Sequence, residues 1–269
     1  MTFGKKYRNF LFLYALVYLL LLPGTAARPP VCPGQDLPAI QTQEPGHADR
    51  CLVIDPGHGG KDSGAAFGTS LSEKTLTLSI AQKLKELIEA DTSLNTGLKV
   101  LLTRAGDNDV PLDERAAIAN HHKAELLLSI HFSSHLYPAV EELQIFIADY
   151  SPEELEYFAI AVDSWTSMQS RHLAESQTLA QNIEKAARES MAFKAVNFLK
   201  APVYVLEGAS MAAVEVEAGF VPTQENIRKL ESEEYQWQIA RVLFQGIMNY
   251  LTQGQEQAEE HDSGQEKEE

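Results

Sequence analysis

Two histidines and two glutamates stand in segments that one domain could bring to a single point. His58 lies in the turn Asp-Pro-Gly-His-Gly-Gly, Glu73 opens a helical pattern, His131 ends an apolar run, and Glu217 precedes Ala-Gly-Phe. A catalytic zinc site uses three protein ligands of these types and keeps one position open for water. The residue types therefore predict metal-dependent hydrolysis.

Each of these residues also has an ordinary structural explanation. A histidine such as His58 in a Gly-rich turn is often only a turn residue, and a carboxylate such as Glu73 in a first helical turn stabilises the helix dipole by ~0.3–1 kcal/mol. His131, at the polar rim of a strand, could be satisfied by neighbouring backbone. Asp55, three residues before His58, could hold its imidazole as a hydrogen-bond acceptor.

Glu215 and Glu217 alternate on a strand pattern, so both side chains face the same side of the sheet. The strand is otherwise apolar, and buried carboxylates are costly without a partner, which a metal or its water would supply. Glu217 lies closer to the strand end and is the better catalytic candidate, whereas Glu215 remains a rim residue of open role. The other conspicuous histidines are expected either at the surface or behind the ligands, but not as ligands: His121, His122 and His135.

Apolar patterns alternate between strand-like and helix-like segments along the chain. Strands are predicted over Cys51–Asp55, Lys99–Arg104, Glu125–His131, Leu143–Ala148, Pro202–Leu206 and Ala213–Glu217, and helices over 72–90, 110–120, 176–191 and 234–251. This alternation predicts an α/β three-layer sandwich, with a twisted, mostly parallel or mixed sheet between helices. His58, His131 and Glu217 then fall at the carboxyl ends of strands, where such folds place their sites.

The ends of the chain differ in composition from its body. Basic residues followed by the apolar run Phe10–Leu22 predict a secretory signal peptide over 1–27, with an uncleaved membrane anchor as the alternative. Pro- and Gln-rich residues predict a linker over 28–50, the catalytic domain follows over 51–252, and an acidic disordered tail is expected over 253–269.

The net charge disfavours one class of binding partner, and the cysteine content leaves the presence of a disulfide open. The net charge of −16 argues against nucleic acid as a partner. The two cysteines, Cys32 and Cys51, could pair in an oxidising compartment or remain free thiols, and their spacing does not decide between these states.

Six motifs, in this order, carry a family resemblance. They are Val-Ile-Asp-Pro-Gly-His-Gly-Gly-Lys-Asp-Ser-Gly-Ala (53–65), Glu-Lys (73–74), Val-Leu-Leu-Thr-Arg (100–104), Leu-Asp-Glu-Arg-Ala-Ala-Ile-Ala-Asn (112–120), Leu-Ser-Ile-His (128–131) and Val-Glu-Ala-Gly-Phe (216–220). Over most of the body the sequence resembles the zinc-dependent N-acetylmuramoyl-L-alanine amidases of the type-3 family, which are bacterial cell-wall hydrolases.

The resemblance implies a phosphorylase/hydrolase-like fold and assigns the site. Its metal ligands fall on His58, Glu73 and His131, its cofactor is Zn²⁺, and its general base falls on Glu217. The implied substrate is peptidoglycan, cut at the amide between N-acetylmuramic acid and L-alanine. The protein is then expected to be exported to the periplasm or cell envelope and to be monomeric, with a protein activator left open as a further partner.

Some family members carry a helix that blocks the site until an activator arrives. Here the corresponding segment, 149–175, is short and predicts a modest lid. Two alternatives remain: an inactive peptidoglycan-binding regulator, and another zinc hydrolase such as a cell-wall carboxypeptidase. The first is disfavoured because ligand and general-base residues are present at all four positions that the chemistry needs. Analysis of the reaction products would distinguish the second from an amidase.

Overall fold

The computed structural model describes residues 50–67, 71–93, 98–133, 142–149, 165–190, 192–220 and 224–265. Several predictions concern residues outside these ranges: the signal peptide, nearly all of the linker, Cys32, His135 and most of the lid segment.

Eight strands and six α-helices follow one another in the described part of the chain. The strands are β1 (Cys51–Pro56), β2 (Ala66–Phe67), β3 (Leu71–Ser72), β4 (Lys99–Leu102), β5 (Leu126–Ser133), β6 (Glu142–Ala148), β7 (Ala195–Ala201) and β8 (Ala212–Phe220). The helices are α1 (Glu73–Ala90), α2 (Leu112–His121), α3 (Trp165–Ser170), α4 (Leu173–Ser190), α5 (Gln224–Glu231) and α6 (Glu233–Gln265), with a 3-10 turn at Tyr204–Leu206.

Six of the strands form one sheet in the order β4-β1-β5-β8-β6-β7. Neighbouring strands are parallel except that β6 runs antiparallel to β8. Leu52–Ile54 of β1 and Leu126–Leu128 of β5 are fully buried, as expected for central strands that are covered on both faces. The predicted mixed sheet between helices is therefore confirmed.

The two faces of this sheet carry separate hydrophobic layers. Helices α1, α4 and α6 pack on one face, and α2 with the 3-10 turn covers the other. Helix α1 illustrates the first layer, since Leu76, Ile80, Leu84 and Ile88 recur at helical spacing and are all buried. Burying each such side chain contributes roughly 1.5–3 kcal/mol.

The last strands differ from the prediction. The segment Pro202–Leu206 was expected to be a strand, but Tyr204–Leu206 forms a 3-10 turn and the strand lies upstream at β7. Strand β7 is at the sheet edge, where it pairs with β6 alone and leaves most of its residues exposed or partly exposed. Its sequence alternates only weakly between apolar and polar residues and therefore carries little strand signal. The predicted strand is disfavoured because Pro202 cannot donate to a ladder.

The closing helix is longer than expected. Helix α6 runs from Glu233 to Gln265, past residue 253, where the acidic tail was predicted to begin. The extension is rich in Gln and Glu, which have high helix propensity and can prolong an existing helix. No helix in the described ranges combines the length and hydropathy needed to span a membrane.

Cys51 opens the first strand and is buried. It is the one cysteine among the described residues, and its thiol is free. Cys32 lies outside the described ranges, so pairing of the two cysteines and free thiols both stay open as predictions. Burial raises the pKa of the Cys51 thiol.

Candidate metal centre

The turn after β1 places His58 at the carboxyl edge of the sheet. His58 adopts a left-handed backbone with φ of 62°, which is uncommon for a residue other than glycine. Gly57, just before it, has a different reason to be glycine. A Cβ added there would lie 2.3 Å from Cε1 of His131, so the bare backbone lets the His131 ring approach.

Glu73 lies at the start of α1 and is almost fully buried, with 4% of its surface exposed. Two backbone amides orient its carboxylate. The N–H of Ala65 donates to Oε2 at 2.9 Å, and the N–H of Phe132 donates to Oε1 at 3.0 Å. The carboxylate is therefore held in place by the loop before the helix and by β5.

Both histidines meet the same oxygen of Glu73. Nε2 of His58 lies 2.9 Å from Oε1, and Nδ1 of His131 lies 3.2 Å from it. The two imidazole rings are edge to face, with centroids 4.9 Å apart. Three of the four predicted site residues thus converge in the structure, although they come from three separate elements.

The charges of this cluster are mutually stabilising. Burial alone would raise the pKa of Glu73, but hydrogen bonds from both histidines and the two amides outweigh it and lower the pKa well below its usual range. Burial would lower the pKa of His58 and of His131, yet their contacts with Glu73 raise both pKa values. A metal ion binds only unprotonated imidazole, so it must compete with protons for His58 and His131.

The donor set fits a metal ion. In tetrahedral zinc sites the ligand bonds measure about 2.0–2.2 Å, which puts two ligand atoms roughly 3.4 Å apart. The 2.9 and 3.2 Å contacts of Glu73 Oε1 are close to this spacing. In the described part of the chain, this is the one group of acidic, histidine or cysteine side chains with metal-site geometry. The cluster can therefore hold a metal ion.

The predicted role of Asp55 is wrong. Its Oδ1 accepts hydrogen bonds from Thr103 and Arg115, and its Oδ2 accepts one from Ser129 at 2.7 Å, all within the protein interior. The outer nitrogen of His58 instead meets Asp62, with Nδ1 2.8 Å from Oδ2. The only sequence signal for Asp62 was an acid four residues beyond a candidate ligand.

Two buried arginines, missed as site residues by the sequence interpretation, hold the turn that carries His58. Arg104 donates to the carbonyl oxygens of Pro56 at 2.9 Å and Gly57 at 2.8 Å. Arg115 donates to the carbonyl oxygens of Pro56 at 3.1 Å and His58 at 3.0 Å. Three consecutive carbonyls are thereby fixed, which stabilises the left-handed conformation of His58.

Glu217 stands beside the cluster on the neighbouring strand. It is the register partner of His131 across the parallel pair of β5 and β8, so the two Cα atoms are about 4.8 Å apart and the side chains share a face. Glu215 shares this face as well, and its Oε2 lies 4.0 Å from Nε2 of His131. Burial is the main cause that raises the pKa of Glu215, and the nearby Glu217 adds to it.

Two of the three other histidines singled out in the sequence, His121 and His122, lie in the described part of the chain. His121 and His122 are exposed at the end of α2, where their rings stack edge to face on each other, with centroids 5.0 Å apart. Neither belongs to the metal-site group.

Comparisons with known proteins point to one family. The family model described as N-acetylmuramoyl-L-alanine amidase matches residues 52–249. The amidase AmiA of Escherichia coli K12 is 29% identical over 226 residues, which cover 75% of this chain and 76% of that protein.

Two amidases of known structure align with this chain over nearly their whole length. AmiC2 of Nostoc punctiforme aligns with a TM-score of 0.58 at 31% identity, covering 77% of this chain and 99% of that one. The CwlD amidase of Clostridioides difficile, solved in complex with the GerS lipoprotein, aligns with a TM-score of 0.59 at 25% identity, covering 76% and 99%. The chain therefore belongs to the type-3 N-acetylmuramoyl-L-alanine amidase family.

Proposed function

We propose that this chain is an exported, zinc-dependent N-acetylmuramoyl-L-alanine amidase. It cleaves peptidoglycan at the amide that joins the lactyl group of N-acetylmuramic acid to L-alanine of the stem peptide. Family membership supports the substrate and the reaction. The observation that carries the metal dependence is the convergence of His58 and His131 on one oxygen of Glu73.

In this proposal Zn²⁺ is held by Nε2 of His58, Oε1 of Glu73 and Nδ1 of His131. When bound, zinc polarises the amide carbonyl and lowers the pKa of a water molecule toward ~7. The protein contributes the orientation of these ligands. The two amide donors to Glu73 and the arginine contacts to the His58 turn fix ligand positions before metal arrives.

Glu217 is the proposed general base and acid. Its carboxylate takes a proton from the attacking water as the new C–O bond forms at the amide carbon. It then gives that proton to the amide nitrogen as the C–N bond breaks, which releases the free α-amine of L-alanine and leaves the lactyl carboxylic acid. The position of Glu217, opposite His131 and on the same sheet face, supports this role.

The location and partners of the protein follow from its substrate. Peptidoglycan lies outside the cytoplasmic membrane, so the proposed enzyme acts in the periplasm or cell envelope, and the predicted signal peptide over 1–27 supports export. A protein activator is proposed as a further partner, and the complex of CwlD with GerS supports it. The monomeric state and the lid remain predictions.

The experiment uses release of dye from labelled peptidoglycan by the purified protein. Chelation should abolish release and added zinc should restore it. Glu217→Gln should bind zinc like the parent yet lose activity by about 10²–10⁴-fold, the range for general acid–base catalysis. Activity that survives chelation, or that survives Glu217→Gln at the parent rate, would contradict the proposal.

A further inference from the structure

Glu215 is a partly buried carboxylate on the site face of β8 that the proposed mechanism does not use. Its side chain is 17% exposed, and its Oε2 lies 4.0 Å from Nε2 of His131. Its register partner is Ser129, whereas Glu217 pairs with His131 itself. Glu215 and Glu217 thus lie beside the same histidine, with Glu215 two residues further from the carboxyl end of β8.

The two nitrogens of the His131 ring face different carboxylates. Nδ1 faces Glu73 at 3.2 Å, and Nε2 faces Glu215. A neutral imidazole carries its proton on one nitrogen only, so the nitrogen that binds a metal is bare and the other becomes an N–H donor. Such a donor in a metal site almost always has an acceptor, which fixes the tautomer and the ring orientation.

His58 shows the same arrangement already formed. Its Nε2 faces the shared oxygen of Glu73 at 2.9 Å, and its Nδ1 meets Oδ2 of Asp62 at 2.8 Å. Each histidine therefore points one nitrogen at Glu73 and the other at an outer carboxylate. The outer carboxylate is Asp62 for His58 and Glu215 for His131.

We propose that Glu215 is a positioning residue that accepts the Nε2–H of His131 and so presents Nδ1 of that ring to the metal. This inference rests on the proposed metal ligation. The separation of 4.0 Å is about 1 Å longer than a hydrogen bond. A small rotation about the side-chain bonds of Glu215 closes it, because the carboxylate ends a flexible side chain.

The same geometry separates the roles of the two glutamates. Glu215 lies nearest Nε2 of His131, whereas Glu73 lies nearest Nδ1, so Glu215 stands behind the proposed ligand atom. Glu217, one strand repeat nearer the carboxyl edge, stays available for the reacting water. Loss of Glu215 should therefore weaken metal binding, and loss of Glu217 should not.

The test measures zinc affinity by competition with a chromophoric chelator, on the full protein and without any substrate. Glu215→Leu removes the acceptor and should weaken zinc by about 10–100-fold, the usual cost of losing such a partner. Glu215→Gln keeps an amide oxygen and should recover part of this loss. Glu217→Gln, the matched control on the same strand and face, should bind zinc within about twofold of the parent, well below that cost.

A second readout distinguishes positioning from mere structural support. Long-range ¹H–¹⁵N NMR of the zinc-loaded protein should show the His131 proton on Nε2. Thermal unfolding of the metal-free variants shows whether any loss of affinity reflects the fold instead.

Zinc affinity of Glu215→Leu within about twofold of the parent, or a proton on Nδ1, would overturn the proposal, since the expected cost is at least about tenfold. A parent that binds no zinc overturns it together with the proposed metal dependence. A parent that binds zinc with the expected ranking of variants but releases no peptide would leave the role of Glu215 standing and refute the proposed function alone.

Discussion

Gly57→Ala should destroy the metal centre while leaving the rest of the fold in place. An ideal Cβ at this position lies 2.3 Å from Cε1, 2.5 Å from Nε2 and 2.7 Å from Nδ1 of His131. Ordinary carbon–carbon contacts are near 3.5 Å, so the ring must retreat by roughly 1 Å. The backbone of residue 57 cannot easily move instead, since its N–H donates to Ile130 and its carbonyl accepts from Arg104 and Thr77.

A shift of this size is large on the scale of metal bonds. Metal–ligand distances are held within about 0.2 Å, so a displacement of roughly 1 Å removes His131 from the ligand set. We expect zinc affinity to fall by at least about 100-fold, which corresponds to ~2.7 kcal/mol. Amide hydrolysis should fall with it at limiting zinc.

The assay is chelator competition, paired with thermal unfolding of the metal-free protein. The matched control is Gly246→Ala, whose added Cβ would lie 2.6 Å from Cα of Ile183, between helices α6 and α4. This control should lower the melting temperature without changing zinc affinity. If Gly57→Ala bound zinc within about threefold of the parent, short of the expected loss, the proposed placement of His131 as a ligand would be refuted.

Three further outcomes are expected. Arg115→Met should lower the free energy of unfolding by about 3–5 kcal/mol, measured in urea, because it leaves buried Asp55 without its cation; a loss below about 1 kcal/mol would contradict this. In the metal-free protein, Glu73→Gln should cost most stability between about pH 4.5 and 6.5, measured as melting temperature. Because the pKa of the Glu73 carboxylate is lowered, its contribution to stability is lost as pH falls and the carboxylate is protonated. Because the pKa values of His58 and His131 are raised, their contribution to stability is lost as pH rises and they lose their protons. A difference in melting temperature that does not change with pH would count against the ion cluster. In a Cys32→Ser protein, Cys51 should react with a thiol reagent at pH 8 only after unfolding, because burial raises its pKa; rapid native labelling would show that the thiol is accessible.

Much of the architecture could be predicted because it depends on patterns that short segments carry. The apolar runs of β1 and β5 are buried on both faces, and such runs are typical of central parallel strands. Carboxyl ends of parallel strands meet at one sheet edge, which is why His58 and His131 could be expected together. Glu73 lies at the same edge because it is the first residue of helix α1.

The orienting residues could not be predicted because they depend on long-range geometry. Asp55 was close to His58 in sequence, yet its carboxylate lies in the interior and binds Arg115 and Ser129. Asp62 orients His58 only because the turn folds back on itself through the paired contacts of Gly59 and Asp62. No local sequence pattern predicts such a reversal of the chain.

The contacts that Arg104 and Arg115 make with the turn could not be predicted from the sequence either. Both residues follow or sit within ordinary strand and helix patterns, and nothing in their neighbours indicates that they bind the carbonyls of residues 56–58. Edge strand β7 was missed for a different reason, since exposed strands lack the apolar alternation that marks half-buried ones.

The most direct test of the proposed activity is mass spectrometry of the products formed from purified peptidoglycan, with Glu217→Gln as the inactive control. The proposed function predicts intact stem peptides with a free L-alanine amine and no muramic acid attached. Shortened stem peptides still joined to muramic acid would contradict it and indicate a peptidase instead.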